Sequence, residues 1–381
     1  MTLIAQRPAG AAVPLQSGER PLPRRPIRVL VVDDSAVVRG LVSRWIEQEP
    51  GLDVVARHAN GKLAVDDVAR SAPDVVLLDV EMPVMDGLEA LPLLLKAKPG
   101  VRVLMVSTLT KRNAEISFQA LALGAFDYVP KPDSNREITI SPDFHQEIIR
   151  KIKALGRART AGTASAAAAD PAAAARRLNF NLRPFSLVPP RAIGIGSSTG
   201  GPEVLGRILA DLTSSLGRTP VLVAQHMPPM FTAILAERLQ RVTSREAKEG
   251  EDGEPVRPGT IYVAPGGHHM TVVRANGSRL RISREAPVHF CRPAVDPLFA
   301  SMAAEFGPAT LGIVLTGMGH DGAAGARAIA DRGGTVIAQD EASSVVWGMP
   351  GAAAGVGACA AILPPAEIAA TAAELLQGKR P

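Results

Sequence analysis

Two regions of the chain alternate short, continuously apolar segments with helical segments, and this alternation limits the folds that the chain can adopt. The first region begins with an apolar segment at 27–32 and a helical pattern at 35–47, and the alternation then continues. Continuously apolar strands are typical of parallel sheets, because helices cover both faces of such a sheet. The pattern therefore predicts an α/β fold with a doubly wound, mostly parallel sheet, in two separate regions.

The first region predicts five strands, each followed by a helix. The predicted strands cover 27–32, 52–56, 75–78, 101–106 and 126–129. The predicted helices cover 35–47, 61–70, 88–96, 111–123 and 142–155. Pro142 suits the first turn of the last helix, where a missing N–H costs little.

The second region repeats this alternation and adds a hairpin. The predicted strands cover 192–195, 220–224, 259–263, 311–315 and 334–338, and the predicted helices cover 203–211, 232–239, 296–306 and 322–332. Asn276-Gly277 is a strong two-residue turn signal, so residues 270–283 predict an antiparallel addition to this domain.

Low-complexity segments separate the folded regions. Residues 1–25 are rich in proline and predict a disordered leader. Residues 157–188 include an alanine-rich stretch without an apolar stripe, which predicts an interdomain linker that could form a semi-rigid helical spacer. The first domain is then expected at 26–156 and the second at 189–381.

Composition excludes several classes of protein. Of 381 residues, 46% are hydrophobic and 21% charged, as in ordinary globular proteins, and no apolar run approaches the roughly 18 residues of a membrane span. The net charge of +5 lies mainly in the leader and beside the linker, so we expect no nucleic-acid partner. Only Cys291 and Cys359 are present, and no signal-peptide pattern precedes them, so a cytoplasmic location is expected.

Polar side chains follow the predicted strands of the first region. They are Asp33, Asp34, Asp79, Ser107 and Lys131. The carboxyl ends of parallel strands meet at one edge of a sheet, where ligands bind. Clustered carboxylates there suit a hard cation such as Mg²⁺, and lysine and hydroxyl groups suit a phosphoryl group. Single acidic residues after strands are more often helix caps, but five polar residues at successive strand ends favour a site.

A segment of the second region, IGIGSSTGG at 193–201, supports two different chemistries, and we refer to it as the serine turn. Its glycines could let the backbone approach a pyrophosphate, as in a dinucleotide fingerprint. Residues 196–200 also have the G-x-S-x-G spacing of a nucleophile elbow, which exposes a hydroxyl. The segment by itself favours neither interpretation.

A second glycine-rich segment, GMGHDG at 317–322, strengthens the nucleotide interpretation. It follows a predicted strand with G-x-G-x-x-G spacing, and Asp340 stands about twenty residues later, where a ribose-binding acid is expected. Two glycine turns would, however, compete for one dinucleotide.

The hydrolytic interpretation requires a base, an orienting acid and oxyanion donors beside Ser198. His226 follows the predicted strand 220–224 and Asp321 follows 311–315, so both fall on the sheet edge of the serine turn. The backbone N–H of Met318 lies in a glycine-rich turn that suits an oxyanion hole.

Other residues compete for these roles. His268 and His269 follow the predicted strand 259–263 and are rival bases, although a loop histidine is more often structural. Spacing also leaves Ser197 open as the nucleophile. His289 and His320 have no comparable geometric argument.

The first region resembles a response-regulator receiver domain, a flavodoxin-like fold. The resemblance rests on LVVDDS, LLDVEMPVMDG, MVSTLT and YVPKP, which occur in family order. It implies that Asp79 accepts a phosphoryl group and that Tyr128 is the switch aromatic. It implies a Mg²⁺ site formed by Asp34, Asp79 and the carbonyl of Glu81, with Asp33 completing the acidic cluster. It also implies that Ser107 is the switch hydroxyl and Lys131 the lysine that faces the phosphate.

The second region resembles the chemotaxis protein-glutamate methylesterase family, with a larger Rossmann-like sheet. The matching segments are IGSSTGG, QHMPPMFT, YVAPGGHHM, RPAVDPLF, LTGMGHDGAAG and AQDEASSVVWGMP. The resemblance implies a triad of Ser198, His226 and Asp321, with Met318 as an oxyanion donor and no cofactor for the esterase.

Together the two resemblances imply a phosphorylation-activated hydrolase. It would remove methyl groups from glutamate esters of chemoreceptors, deamidate their glutamines, and receive phosphate from a chemotaxis histidine kinase. The alternative is a receiver whose second domain binds a nucleotide or nucleic acid. No membrane insertion is expected in either case.

Overall fold

The computed structural model describes residues 25–108, 110–132, 142–167 and 180–380. The predicted leader therefore lies almost wholly outside the described residues, as does the middle of the predicted linker. No helix in the described ranges is both long enough and apolar enough to cross a membrane.

The first domain is a five-stranded parallel sheet with helices on both faces, as predicted. The strands are β1 (Ile27–Val32), β2 (Leu52–His58), β3 (Val75–Asp79), β4 (Arg102–Thr108) and β5 (Asp127–Lys131), in the order β2-β1-β3-β4-β5. The helices are α1 (Ala36–Gln48), α2 (Gly61–Ser71), α3 (Gly87–Ala97), α4 (Lys111–Ala122) and α5 (Pro142–Ala167).

Local sequence explains where these helices begin. The hydroxyl of Ser35 accepts a hydrogen bond from the Val38 N–H at the start of α1. The side chain of Asn60 accepts from the Leu63 N–H at the start of α2. Such caps satisfy backbone donors that have no partner within the helix. Every residue of β3 is buried, as its uninterrupted apolar sequence predicts.

The last helix of this domain is longer than predicted. We placed its end near residue 155, but α5 continues to Ala167 and includes the first part of the predicted linker. Alanine has the highest intrinsic helix propensity, so the composition of this segment favours continuation of the helix. The role of the segment as a spacer between domains stays a prediction.

The second domain contains a seven-stranded parallel sheet in the order β14-β13-β12-β6-β7-β9-β8. Its strands are β6 (Ala192–Ser197), β7 (Val221–Gln225), β8 (Ala247–Glu249), β9 (Ile261–Val263), β12 (Thr310–Val314), β13 (Thr335–Gln339) and β14 (Ala361–Leu363). The predicted hairpin, β10 (His269–Arg274) and β11 (Ser278–Ser283), is antiparallel and forms a separate two-stranded sheet.

Six α-helices and one short 3-10 helix, Gly307–Ala309, complete the described part of this domain. The α-helices are α6 (Gly201–Leu212), α7 (Phe231–Thr243), α8 (Val295–Phe306), α9 (Ala323–Asp331), α10 (Gly348–Gly355) and α11 (Pro365–Leu376). The sequence predictions did not include β8, β14, α10 or α11. The strand order reverses between β6 and β12, so the crevice at this topological switch point lies at the centre of the sheet.

Aromatic side chains pack the two domains against each other. Tyr128 in β5 and Phe231 at the start of α7 stack with ring centroids 4.4 Å apart and planes 5° apart. The ring of Phe118 in α4 lies 6.5 Å from that of Phe231. Arg238 in α7 donates from Nη1 to the Phe118 carbonyl at 3.3 Å. The buried apolar core is thus continuous across the domain boundary.

A cavity of about 1210 Å³ also lies between the domains. Arg150 and Lys153 of α5 line one side, and Met318, Val345 and Trp347 of the second domain line the other. The receiver-like domain therefore borders the loops that follow the central strands of the second sheet.

Candidate functional site

The serine turn begins where β6 ends. Ser197 is the last residue of the strand, fully buried, and its hydroxyl donates to Gln225 Oε1 at 2.5 Å. Ser198 follows the strand and is half-buried, and its backbone N–H donates to the Thr316 carbonyl at 3.0 Å. Gly200 has φ +75°, a conformation that favours glycine, and α6 starts at the next residue. The turn therefore presents Ser198 and buries Ser197.

The register of the sheet places His226 beside Ser198. β6 and β7 are parallel neighbours in which Ser197 pairs with Gln225. The residues that follow this pair are Ser198 and His226, and the His226 N–H donates to the Ser197 carbonyl at 3.1 Å. The imidazole is 11% exposed, and its Nε2 lies 2.7 Å from Asp321 Oδ2.

Asp321 is buried where backbone N–H groups converge on its carboxylate. The N–H groups of Val295 and Asp296, at the start of α8, donate to it at 2.6 and 3.0 Å, and that of Gly322 donates at 2.9 Å. The amino-terminal end of a helix favours a negative charge, so this arrangement stabilises the carboxylate.

The environment shifts the pKa values of the two partners in opposite directions. Burial would raise the pKa of Asp321, but the hydrogen bonds from His226 and from the start of α8 outweigh it and lower the pKa. Burial would lower the pKa of His226, but hydrogen bonds with Asp321 and Cys291 raise it to about 9. The acid is thus held ionised, and the imidazole binds a proton readily.

A backbone wall faces the serine turn from the next strand. After β12 the chain passes through Thr316 and Gly317, and a Cβ on Gly317 would lie 2.9 Å from the Ser198 Cβ. Only glycine permits this close approach. Met318, half-buried, comes next in this loop, and its role as an oxyanion donor stays a prediction.

Cys291 is a residue of this site that the sequence did not indicate. Its Sγ lies 3.5 Å from His226 Nδ1, the ring nitrogen that does not contact Asp321. Within the described residues, Ser198 Oγ forms no hydrogen bond with His226. Catalytic hydrogen bonds often become short only when substrate is bound, so this arrangement is compatible with a nucleophile and its base.

The rival histidines are engaged elsewhere. His269 accepts from the Ala294 N–H with Nδ1 at 3.2 Å, and its Nε2 lies 3.1 Å from the Ala286 carbonyl. His268 Nε2 accepts from Arg284 Nε at 2.8 Å. The structure places neither of them at the serine turn.

The acid expected in the nucleotide interpretation has a local role. The Asp340 carboxylate accepts hydrogen bonds from the backbone and hydroxyl of Ser343, so it closes a turn.

The first domain brings the predicted acidic cluster together at the edge of its sheet. The carboxylates of Asp33, Asp34 and Asp79 lie within 4.8 Å of one another. Lys131, at the end of β5, donates to Asp33 at 2.8 Å and to Asp79 at 3.0 Å. The buried Ser107 hydroxyl donates to the Asn113 carbonyl at 3.2 Å, away from these carboxylates.

Burial dominates the electrostatics of this second site. It raises the pKa of Asp79 to about 7, against the attraction of Lys131 and with a further contribution from the Asp33 charge. Asp34 and Glu81 are exposed, and the 4.8 Å cluster includes Asp34 and not Glu81. The backbone carbonyl proposed for Glu81 as a metal ligand stays a prediction.

Comparisons with known proteins agree with both regions. The family model of the CheB methylesterase matches residues 193–372, and that of the response regulator receiver domain matches residues 29–141. A protein-glutamate methylesterase/protein-glutamine glutaminase of Rhodopseudomonas palustris strain BisB5 is 51% identical over 367 residues, which are 93% of this chain and 95% of the relative.

A relative of the same name from a group 2 operon of Bradyrhizobium diazoefficiens is 50% identical over 378 residues, with the same two coverages. The CheB methylesterase catalytic domain of Thermotoga maritima is a solved structure with 40% identity and a TM-score of 0.47. It covers 49% of this chain and 100% of its own length.

Proposed function

This chain belongs to the CheB methylesterase family, and we propose that it removes methyl groups from glutamate γ-methyl esters of chemoreceptors under the control of its receiver domain. One observation carries the proposal. Ser198, His226 and Asp321 follow three neighbouring central strands, and the last two are joined at 2.7 Å. This is the residue set of nucleophilic acyl transfer.

The reaction begins at the Ser198 hydroxyl. Its oxygen attacks the ester carbonyl carbon while its proton moves to His226 Nδ1, because Nε2 is engaged by Asp321. The carbonyl oxygen becomes an oxyanion, to which the Met318 N–H donates. The Asp321 carboxylate holds the imidazolium in place during this step.

His226 then returns its proton to the leaving group, and a water molecule completes the reaction. The imidazolium gives its proton to the leaving methoxide, methanol departs, and an acyl-enzyme on Ser198 remains. A water molecule then loses a proton to His226 and attacks the acyl carbon, which releases glutamate and restores the serine hydroxyl. A glutamine side chain follows the same path with ammonia as the leaving group, which accounts for deamidation.

The receiver site is suited to phosphorylation of Asp79. Receiver domains generally require Mg²⁺ for phosphorylation. The carboxylate oxygens of Asp33, Asp34 and Asp79 are ligands that suit this ion. When bound, the ion offsets negative charge at the phosphoryl group. Lys131 contacts Asp79 directly and would contribute a second positive charge to the phosphoryl oxygens. The phosphodonor we propose is a chemotaxis histidine kinase.

Two contacts connect the receiver with the esterase site. Tyr128, in the same strand as Lys131, stacks on Phe231, which lies five residues after His226. Val345 packs against the receiver core, and a Cβ on Gly200 of the serine turn would lie 2.5 Å from it. We propose that the unphosphorylated receiver restricts access to the serine turn and that a phosphoryl group on Asp79 weakens this packing.

The test is methanol release from a methylated chemoreceptor by the full chain, with and without acetyl phosphate as phosphodonor. Wild type should release methanol, and acetyl phosphate should accelerate it. Ser198→Ala should lower the rate by at least about a thousandfold. Ser197→Ala is the matched control, because that hydroxyl is buried on Gln225. A rate in Ser198→Ala that equals wild type would refute the assignment of Ser198 as the nucleophile. Tight binding of a dinucleotide would favour a second domain that binds nucleotides. A cytoplasmic location stays a prediction from the sequence.

A further inference from the structure

A four-residue turn beside the catalytic histidine displays an aromatic ring to solvent. We call residues 288–291, Val-His-Phe-Cys, the aromatic turn. The Phe290 side chain is 96% exposed, the largest exposed fraction among the large apolar side chains of the described residues. Both central residues, His289 and Phe290, have positive φ values, +51° and +63°. Bulky residues rarely adopt this conformation, and strain of this kind concentrates at functional sites.

The strain is imposed by hydrogen bonds on both sides of the turn. The N–H of Val288 donates to the Cys291 carbonyl at 3.1 Å, and the N–H of Cys291 donates back at 2.9 Å. Positive φ at both central residues is what a two-residue hairpin of type I′ requires, and asparagine and glycine are the usual occupants. Histidine and phenylalanine therefore occupy these positions at a conformational cost, which side-chain contacts offset at His289 but not at the exposed Phe290.

The aromatic turn is connected to the catalytic residues through both of its neighbours. Cys291, directly after Phe290, has its Sγ 3.5 Å from His226 Nδ1. His289, directly before it, has Nε2 3.1 Å from Asp296 Oδ2, and the Asp296 N–H donates to Asp321 at 3.0 Å. The residues on both sides of Phe290 therefore contact the site: Cys291 contacts His226 Nδ1, which we propose accepts the serine proton, and His289 contacts Asp296, which donates to Asp321.

We propose that the Phe290 ring contacts the protein substrate next to the glutamyl ester and positions that ester for attack by Ser198. This inference rests on the proposed function and adds a recognition residue to it. An apolar ring in water gains free energy when a partner surface covers it, and aromatic residues are enriched among residues that dominate binding. A small soluble ester that reaches Ser198 has no surface to cover the ring, whereas a folded protein that carries the ester does.

The position of the ring identifies the occupant as the substrate. A second copy of the chain docked on Phe290 would cover the turn that holds Cys291 beside His226. A protein that presents a side-chain ester to Ser198 would bring its own surface to this turn. The aromatic turn is therefore a specificity element for protein-bound esters.

The first experiment compares two substrates on Phe290→Ala. The variant should lose about tenfold in kcat/KM for methanol release from methylated chemoreceptor, mainly through KM, as truncation of an aromatic contact typically does. Its kcat/KM for p-nitrophenyl acetate should stay within about twofold of wild type. Phe290→Tyr, which keeps the ring, should restore the receptor rate. Val356→Ala is the matched control, an exposed apolar residue after α10 whose truncation should change neither rate.

Unchanged kcat/KM on the receptor in Phe290→Ala would overturn the proposal. Equal losses on both substrates would also overturn it, because the ring would then act only on the catalytic residues. These outcomes are separate from a failure of the proposed function, in which wild type itself releases no methanol from the receptor.

A second variant distinguishes recognition from stability. Phe290→Gly places at φ +63° the residue that adopts this conformation without strain. It should unfold at the same temperature as wild type or a higher one, and it should still lose about tenfold on the receptor. Such a trade-off is typical of a strained functional residue. A lower unfolding temperature together with equal losses on both substrates would indicate a structural role and would overturn the proposal.

Discussion

Asp79 and Asp321 occupy the same kind of position in two sheets of one chain, yet their surroundings give them opposite acid–base properties. Each is a buried aspartate at the carboxyl edge of a parallel sheet, 5% and 1% exposed. Burial raises the pKa of Asp79 to about 7 against the attraction of Lys131, and the neighbouring Asp33 carboxylate adds to the rise. Asp321 accepts hydrogen bonds from His226 and from backbone N–H groups, and its pKa is lowered.

The difference teaches that burial raises the pKa of a carboxylate unless its hydrogen-bond donors together outweigh it, as they do at Asp321 and not at Asp79. An aspartate surrounded by donors stays ionised and can orient a neighbour through a reaction. An aspartate crowded by like charges has its ionised form destabilised, and a phosphoryl group with its counter-ions offers the oxygen a new set of partners. The same substitution at the two positions should therefore have different consequences.

The largest effect is expected for Asp321→Asn. The amide cannot carry the charge that stabilises the imidazolium, and its NH₂ group would face a backbone donor, that of Val295 or that of Asp296. We expect kcat for methanol release to fall by about 10⁴-fold, as in comparable triads. Stopped-time methanol assays on the full chain measure this. A loss below about tenfold would mean that Asp321 does not orient His226 during the reaction.

Asp79→Asn should have a conditional effect. Without a phosphodonor, methanol release should equal that of wild type, because Asp79 lies in the other domain. With acetyl phosphate, all stimulation and all incorporation of phosphate should be lost, since the amide oxygen does not form the acyl phosphate. Phosphate incorporation and methanol release are measured on the same samples. Stimulation that persists in this variant would place the phosphorylation site elsewhere.

A smaller effect is expected from loosening the interface between the domains. Arg238 donates to the Phe118 carbonyl across the interface at 3.3 Å and to Glu203 Oε2 within its own domain at 2.6 Å. Arg238→Ala should raise the unstimulated rate by about two- to fivefold, because one hydrogen bond across the interface contributes about 1 kcal/mol. Arg245→Ala is the control, since Arg245 donates to Thr213 and Gly217 within its own domain. An unchanged rate in Arg238→Ala would argue against inhibition by the receiver.

The smallest effect concerns pH. His226 accepts the serine proton only when it is neutral, and its pKa is raised to about 9. The rate should therefore rise with pH and level off above about 9. Cys291→Ala removes one cause of the raised pKa, so the rising part of the pH profile should move to lower pH and the rate at pH 7 should increase by less than about twofold. A pH–rate profile that is the same in Cys291→Ala and wild type would show that Cys291 does not influence the pKa of His226.

Parallel topology explains why much of both sites could be predicted from sequence. Lys131 and Asp79 are far apart in the chain, but each ends a strand, and strand ends of a parallel sheet converge. The same reasoning anticipated His226 and Asp321 beside Ser198. The apolar runs and the residues that terminate them brought these side chains to one edge, but the choice of Ser198 over Ser197, and of His226 over the rival histidines, came from the family resemblance.

Other features depend on contacts that no local pattern encodes. Cys291 reaches His226 across 65 positions of sequence through a strained turn. The stack of Tyr128 on Phe231 depends on how two domains dock. The missed strands β8 and β14 have three residues each, too few for a periodic signal, and α10 contains glycine and proline that disfavour a helix.

The central position of the triad in the sheet has a consequence for the newly made chain. Ser198, His226 and Asp321 follow β6, β7 and β12, which are the three middle strands of seven, and β12 is synthesised more than a hundred residues after β6. A partly synthesised chain that ends before β12 contains Ser198 and His226 but neither Asp321 nor Met318. The proposed catalytic group is therefore complete only after the middle of the sheet has formed.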